Sequence, residues 1–187
     1  MFSASKFIDF FVHDILDYTL LNKDQKNFIK NPKVVNIMDA IDEIVDILRD
    51  KIELKEIQVV TEFLGFKKSD ITIDVKRMQQ VFLNLISNAV KFTDREGKIK
   101  IQVIKQHKHI KVSVTDNGLG IKEQDKDKLF KLFGSIKSEK KKINTNGIGL
   151  GLVISKLITN KYGGEIDFDS EYKKGSTFWF TFEVEDD

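Results

Sequence analysis

The stretch Asn84-Leu-Ile-Ser-Asn88-Ala-Val-Lys91 lies inside a run from Asp74 to Phe92 in which Met78, Val81, Phe82, Leu85, Ile86 and Ala89 recur at helical spacing. The run holds no Gly or Pro, so the spacing predicts one long helix with Asp74 as its N-terminal cap. Asn84, Asn88 and Lys91 then fall at i, i+4 and i+7, on one polar stripe of that helix. Two side-chain amides on such a stripe offer carbonyl oxygens to a hard cation, and Lys91 adds a point charge. A solvated helix face accounts for the same residues equally well when they are taken alone.

Further along, Lys111-Val-Ser-Val-Thr115 alternates like a strand and delivers Asp116 into the glycine-bearing Asp116-Asn-Gly118-Leu-Gly120. A carboxylate at a strand end is held rigidly and only accepts, so it suits an exocyclic amine. Gly118 and Gly120 let backbone approach a flat ring closely. Asn146-Gly147-Ile-Gly149-Leu150-Gly151-Leu152 puts three glycines ahead of a helical run, Leu152-Val-Ile-Ser-Lys-Leu-Ile, that ends at Lys161-Tyr-Gly163-Gly164. Backbone N–H groups at a helix start, reached through glycines, suit phosphate. Lys174-Gly175-Ser176-Thr177-Phe178 completes the set.

In this order and spacing the pieces resemble the ATP-binding domain shared by histidine kinases, type II topoisomerases, the heat-shock chaperone and the mismatch-repair ATPases, over roughly Val34 to Val184. The histidine-kinase branch is the nearer match. Arg77 to Thr93 resembles its N box, Phe130-Lys-Leu-Phe133 its F box, and Gly175-Ser-Thr177-Phe178 its final glycine motif. The resemblance implies ATP and Mg²⁺ as cofactors. It implies Asn88 as the metal-binding residue, Lys91 and Asn84 as catalytic residues at the phosphates, and Asp116 as acceptor of the adenine amine. It also implies Gly118 and Gly120 beside the base, Gly147, Gly149, Leu150, Gly151 and Leu152 over the phosphates, and Thr177 reaching adenine through water. The fold it implies is an α/β (α+β) sandwich of the Bergerat type: one mixed, mostly antiparallel sheet covered on one face by helices.

The remaining sequence fits around that core. Residues 2–21 carry Phe7, Phe11, Ile15 and Tyr18 at helical spacing beside further apolar side chains, a band too wide for a lone surface helix. Such a band packs on a partner helix or folds onto the chain's own domain; the resemblance implies the former, the end of a dimerisation helix (1–21), able to make a homodimer. A linker with the only proline, Pro32, follows (22–33), with a short strand near Phe28 and Ile29, and then the ATP-binding domain (34–187). Asn36 caps a helix whose apolar stripe runs to about Leu54. Gln58 to Phe63 and Asp70 to Asp74 alternate as strands with a turn at Gly65 to Lys68, and Lys98 to Thr115 forms a hairpin with His107 and His109 solvated near its tip. Trp179 falls on the outer face of the last strand. The polar segment Gly134 to Asn146, with Lys137, Lys140, Lys141 and Lys142, reads as a mobile lid.

The 187 residues suit a single domain with an extension. Hydrophobic residues make up 41% and charged ones 32%, and 31 basic against 29 acidic side chains leave a net charge of only +2. So near a balance, a polyanion such as nucleic acid is not an expected partner. With no cysteine the chain has neither a disulfide framework nor a thiolate metal site. No apolar stretch has transmembrane length, so a cytoplasmic fragment is expected, its parent free to be membrane-anchored. The expected function is transfer of the γ-phosphoryl of ATP to a histidine elsewhere in the parent, with a response-regulator receiver downstream. Hydrolysis and pure nucleotide sensing are the alternatives. Hydrolytic relatives carry a water-activating Glu where this chain has Asn84. His13-Asp14 superficially resembles an acceptor motif but lacks the proline that follows it in the family, so His13 is not expected to be phosphorylated.

Overall fold

The computed structural model describes residues 30–132 and 149–184. The helix expected over 1–21, most of the linker, the segment from Gly134 to Asn146, Phe133 and Gly147 lie outside the described residues.

The described chain opens with strand β1 (Lys33–Asn36) and helix α1 (Ile37–Ile47), joined at the predicted cap, where Asn36 Oδ1 accepts from the amide of Met38 at 2.9 Å. The helix does not run unbroken to Leu54. Leu48 turns its amide back to Val45 O at 3.0 Å and drops into the core, and a second helix, α2 (Arg49–Leu54), starts from it. Leu48 and Ile52 are both buried, continuing the apolar face of Ile37, Ile41 and Ile44 across the break.

Strands β2 (Gln58–Leu64) and β3 (Asp70–Ile73) flank the predicted turn, yet they belong to different sheets. β3 pairs antiparallel with β1 in a small two-stranded sheet, Lys33 opposite Ile73, a correction to the expected single sheet. β2 instead runs parallel to β4 (Lys98–Gln106), Gln58 opposite Lys98. A parallel neighbour demands a long crossover, and β3 followed by helix α3 (Val75–Phe92) provides it. β5 (His109–Asp116) returns from β4 as the predicted hairpin, with His107 exposed in the left-handed region at the tip (φ 49°) and His109 half-buried. After the short α4 (Glu123–Lys126) and helix α5 (Gly151–Lys161), β6 (Ile166–Glu171) and β7 (Gly175–Glu183) complete a five-stranded sheet in the order β2-β4-β5-β7-β6. All pairings but β2 with β4 are antiparallel, so the sheet is mixed and mostly antiparallel.

Helices α1, α3 and α5 cover one face. From α3, Met78, Val81, Phe82, Leu85 and Ile86 meet Ile99, Ile101, Val112, Phe180 and Phe182 of the sheet in one core. Each such side chain contributes roughly 1.5–3 kcal/mol on burial. The other face is polar, and Trp179 lies on it as alternation predicts, half-buried with Lys111 Nζ 4.0 Å above its ring. Among the described residues no helix is long and apolar enough to cross a membrane.

Candidate functional site

Both ends of α3 carry polar anchors. At the start, the buried carboxylate of Asp74 caps the helix, accepting from the amide of Arg77 at 3.4 Å and of Asn31 at 3.0 Å and from the hydroxyl of Tyr162. Tyr162 is itself buried, stacked on Phe182 at 4.4 Å, and burial together with Asp74 pushes its phenol pKa well up. At the far end, Lys55 Nζ donates to the carbonyls of Val90 (2.7 Å), Lys91 (3.0 Å) and Thr93 (2.7 Å), filling acceptors that the last turn leaves open and matching the negative end of the helix dipole.

Between these anchors, Asn84, Asn88 and Lys91 lie half-buried on the stripe the spacing predicts. Asn84 Nδ2 donates to Ser155 Oγ on α5 at 3.0 Å. A methyl group on Gly151 would come within 2.3 Å of Asn84 Oδ1, so with Asn84 turned to Ser155 the first turn of α5 has room here only for glycine. That first turn has no side-chain cap, which leaves its N–H groups pointing off the helix end beside the stripe. The Asn88 side chain makes no hydrogen bond among the described residues. Burial lowers the Lys91 ammonium pKa from its ordinary value, and Nζ stands 5.1 Å from the centre of the Phe92 ring. Leu150 is buried in the core and Leu152 packs against it, so what these two leucines offer a ligand is backbone. Gly149 sits in the left-handed region (φ 73°) ahead of them.

Asp116 ends β5 only 7% exposed. Burial pushes its carboxyl pKa up, and the backbone amides of Gly118, 2.9 Å from Oδ1, and Ser176 pull it part of the way back. The neighbouring glycines are required first by protein backbone. A Cβ on Gly118 would lie 2.4 Å from Phe92 O, and one on Gly120 2.0 Å from Glu171 O. Close backbone packing alone therefore requires glycine at both positions.

Thr177 is not beside the Asp116 side chain. In the β5–β7 register Asp116 is opposite Ser176 and Thr115 is opposite Thr177, so alternation turns Thr177 to the outer face, where its Oγ1 meets Thr115 Oγ1 at 3.0 Å. Both residues border an open depression of about 390 Å³ at the strand ends, but from opposite sides of the sheet. Ser176 is the hydroxyl on the carboxylate's face, and sequence reasoning missed it. The signal was there: Phe178 packs against the core, and period two puts Ser176 on the same side.

The geometry has clear relatives. The chain is 32% identical over 174 residues to the signal transduction histidine-protein kinase BarA of Escherichia coli (strain K12), covering 90% of this chain and 18% of BarA. It therefore spans about a fifth of the length of such relatives. The catalytic domain of histidine kinase ThkA superposes with a TM-score of 0.66 at 29% identity, over 82% of this chain and 95% of that one. Full-length ShkA in complex with AMPPNP shares the fold at a TM-score of 0.78 and 24% identity, over 92% of this chain and 35% of ShkA. The model of the histidine kinase-, DNA gyrase B-, and HSP90-like ATPases matches residues 73–186, well over half of the chain, and the chain belongs to that family.

Proposed function

We propose that this chain is the ATP-binding catalytic domain of a sensor histidine kinase, residues 34–187 holding the nucleotide, 22–33 acting as linker and 1–21 ending a dimerisation helix. The observation that carries the reading is the pairing of a buried acceptor, Asp116, with an uncapped helix N-terminus that rests on Asn84, the first residue of the Asn84, Asn88 and Lys91 stripe. Asp116 accepts from the adenine amine. The N–H groups at the start of α5, with Gly147 to Gly151 ahead of them, lie over the phosphates, and Lys91 and Asn84 stabilise their charge. An Asn88 amide with no protein partner among the described residues fits Mg²⁺, which takes few protein oxygens and the rest from phosphate and water. When bound, the ion offsets phosphate charge.

The reaction supported is phosphoryl transfer. The bond from the γ-phosphorus to its bridging oxygen breaks, a bond to an imidazole nitrogen of a histidine outside residues 34–187 forms, and ADP leaves. A response-regulator receiver then takes the phosphoryl group, and dependence on ATP argues for a cytoplasmic setting. Hydrolysis lacks a general base: Asn84 is an amide, and its nitrogen is engaged by Ser155. Incubation with γ-labelled ATP and a separately expressed histidine-bearing domain tests the reading. Phosphohistidine on that domain is expected. Free phosphate alone would favour hydrolysis, and neither product would favour a nucleotide sensor. The chain by itself should stay unlabelled; an acid-labile label lost in His13→Ala would overturn that expectation.

A further inference from the structure

Behind Asp116 runs a set of hydroxyl contacts that the nucleotide reading does not use. Ser170 on β6 accepts from the amide of Ile121 at 2.9 Å, donates to the carbonyl of Gly175 at 3.1 Å and stands 2.9 Å from Ser176 Oγ. A serine hydroxyl has one hydrogen and two lone pairs. The amide of Ile121 can only donate and the carbonyl of Gly175 can only accept, so the hydrogen of Ser170 is committed to Gly175 and one lone pair to Ile121. All three contacts are satisfied together only when Ser176 donates to the second lone pair of Ser170. Ser176 is 8% exposed and shares a face with Asp116 across the β5–β7 pair. With its hydrogen turned toward Ser170, Ser176 has only lone pairs left for a ring bound against Asp116.

We propose that Ser170 is a specificity-determining positioning residue: by fixing the Ser176 hydroxyl as an acceptor, it sets a second acceptor beside Asp116 on the core face of the sheet. This rests on the reading of Asp116 as the base-binding residue. A purine with an exocyclic amine finds two acceptors, whereas one with a carbonyl in that place faces two acceptors with an acceptor of its own. Recognition by this kind of mismatch is strong because buried polar groups are left unpaired. Ser170 also ties the Gly118 to Ile121 loop to the β6–β7 turn through the same oxygen.

Calorimetric titration of the full chain with ATP and with inosine triphosphate, which differs in carrying the carbonyl, is the test. The parent should prefer ATP by on the order of 100-fold. Ser170→Ala frees the Ser176 hydroxyl to rotate and donate, so the preference should shrink about tenfold while ATP affinity falls much less. A purely structural role would weaken both nucleotides in parallel and leave the ratio unchanged, which overturns the proposal. Ser176→Ala leaves the Ile121, Ser170 and Gly175 contacts in place and stands in if Ser170→Ala does not fold. It should weaken ATP by roughly threefold to tenfold and spare inosine triphosphate; an unchanged ATP affinity overturns the proposal. A parent that binds neither nucleotide sinks the base-binding reading of Asp116 itself, while a parent that binds both equally sinks only the specificity argument.

Discussion

The two ends of α3 differ in how their polar groups are satisfied. At the first turn the buried Asp74 carboxylate has donors from three elements: Asn31 before β1, Arg77 on α3 and Tyr162 after α5. Nearly four turns on, the Asn88 side chain has no partner among the described residues, and Lys91 holds an ammonium where burial disfavours its charge. The same helix thus has its backbone ends closed by protein, through Asp74 and Lys55, while the side chains of the stripe near its far end are left to be completed. Satisfied polar clusters of the first kind add to folding stability, and incomplete ones of the second kind are where a charged ligand gains most.

The largest effect is expected at Asp116. Asp116→Asn should weaken ATP at least about 100-fold, roughly 3 kcal/mol, because the acceptor becomes an amide and the buried amine loses its charged partner. Since burial raises the Asp116 pKa, the ionised group opposes folding above its unfolded value. That cost is relieved as pH falls through the raised folded value, so the variant should melt no lower than the parent at neutral pH without nucleotide. The advantage should shrink in acid, in the same window where the parent loses ATP affinity. A thermal-shift series across pH, with and without ATP, reads both, and equal nucleotide shifts for parent and variant would count against the site.

Next comes the closed end. Asp74→Ala removes the cap and leaves the buried Tyr162 hydroxyl without its carboxylate, at a cost of about 2–3 kcal/mol in urea unfolding. Affinity of the folded protein for ATP should change by no more than about twofold. A large loss of affinity with little loss of stability would reverse the contrast between the two ends.

At the open end the order is reversed. Asn88→Ala should leave unfolding within ~0.5 kcal/mol of the parent while removing about tenfold of the gain in ATP affinity that Mg²⁺ confers. An unchanged metal dependence by calorimetry would put the ion elsewhere. Lys55→Met should have the smallest effect, about 1 kcal/mol of stability, since a part-exposed ammonium leaves carbonyls that water can reach.

Much of this contrast is legible in the sequence. The α3 stripe, the Asp74 cap, the β4–β5 hairpin and the glycine-led start of α5 are local features, read from spacing and turn chemistry. What was not legible depends on distant partners. Nothing in Gln58 to Leu64 says that its neighbour is β4 in parallel rather than β3, because register and pairing are set by the crossover and by where Ile71 and Ile73 find the core. The break at Leu48 leaves no mark in the apolar spacing, which runs on through Ile52. Thr177 was chosen over Ser176 by motif, when strand alternation favoured the serine. The roles of Tyr162, Ser155 and Ser170 belong to contacts across 88, 71 and 49 positions of chain, which periodicity does not report.

The contact between Gly151 and Asn84 works as a machined clearance. One absent methyl group sets how near the start of α5 can stand to α3, and with it the gap that phosphates would have to span. An alanine there overlaps the Asn84 oxygen, so either the Asn84 amide swings away from Ser155 or one helix slides along the other. Position 151 is therefore a gauge: enlarging its side chain reads out which gives way first, the Asn84 amide or the spacing of the two helices.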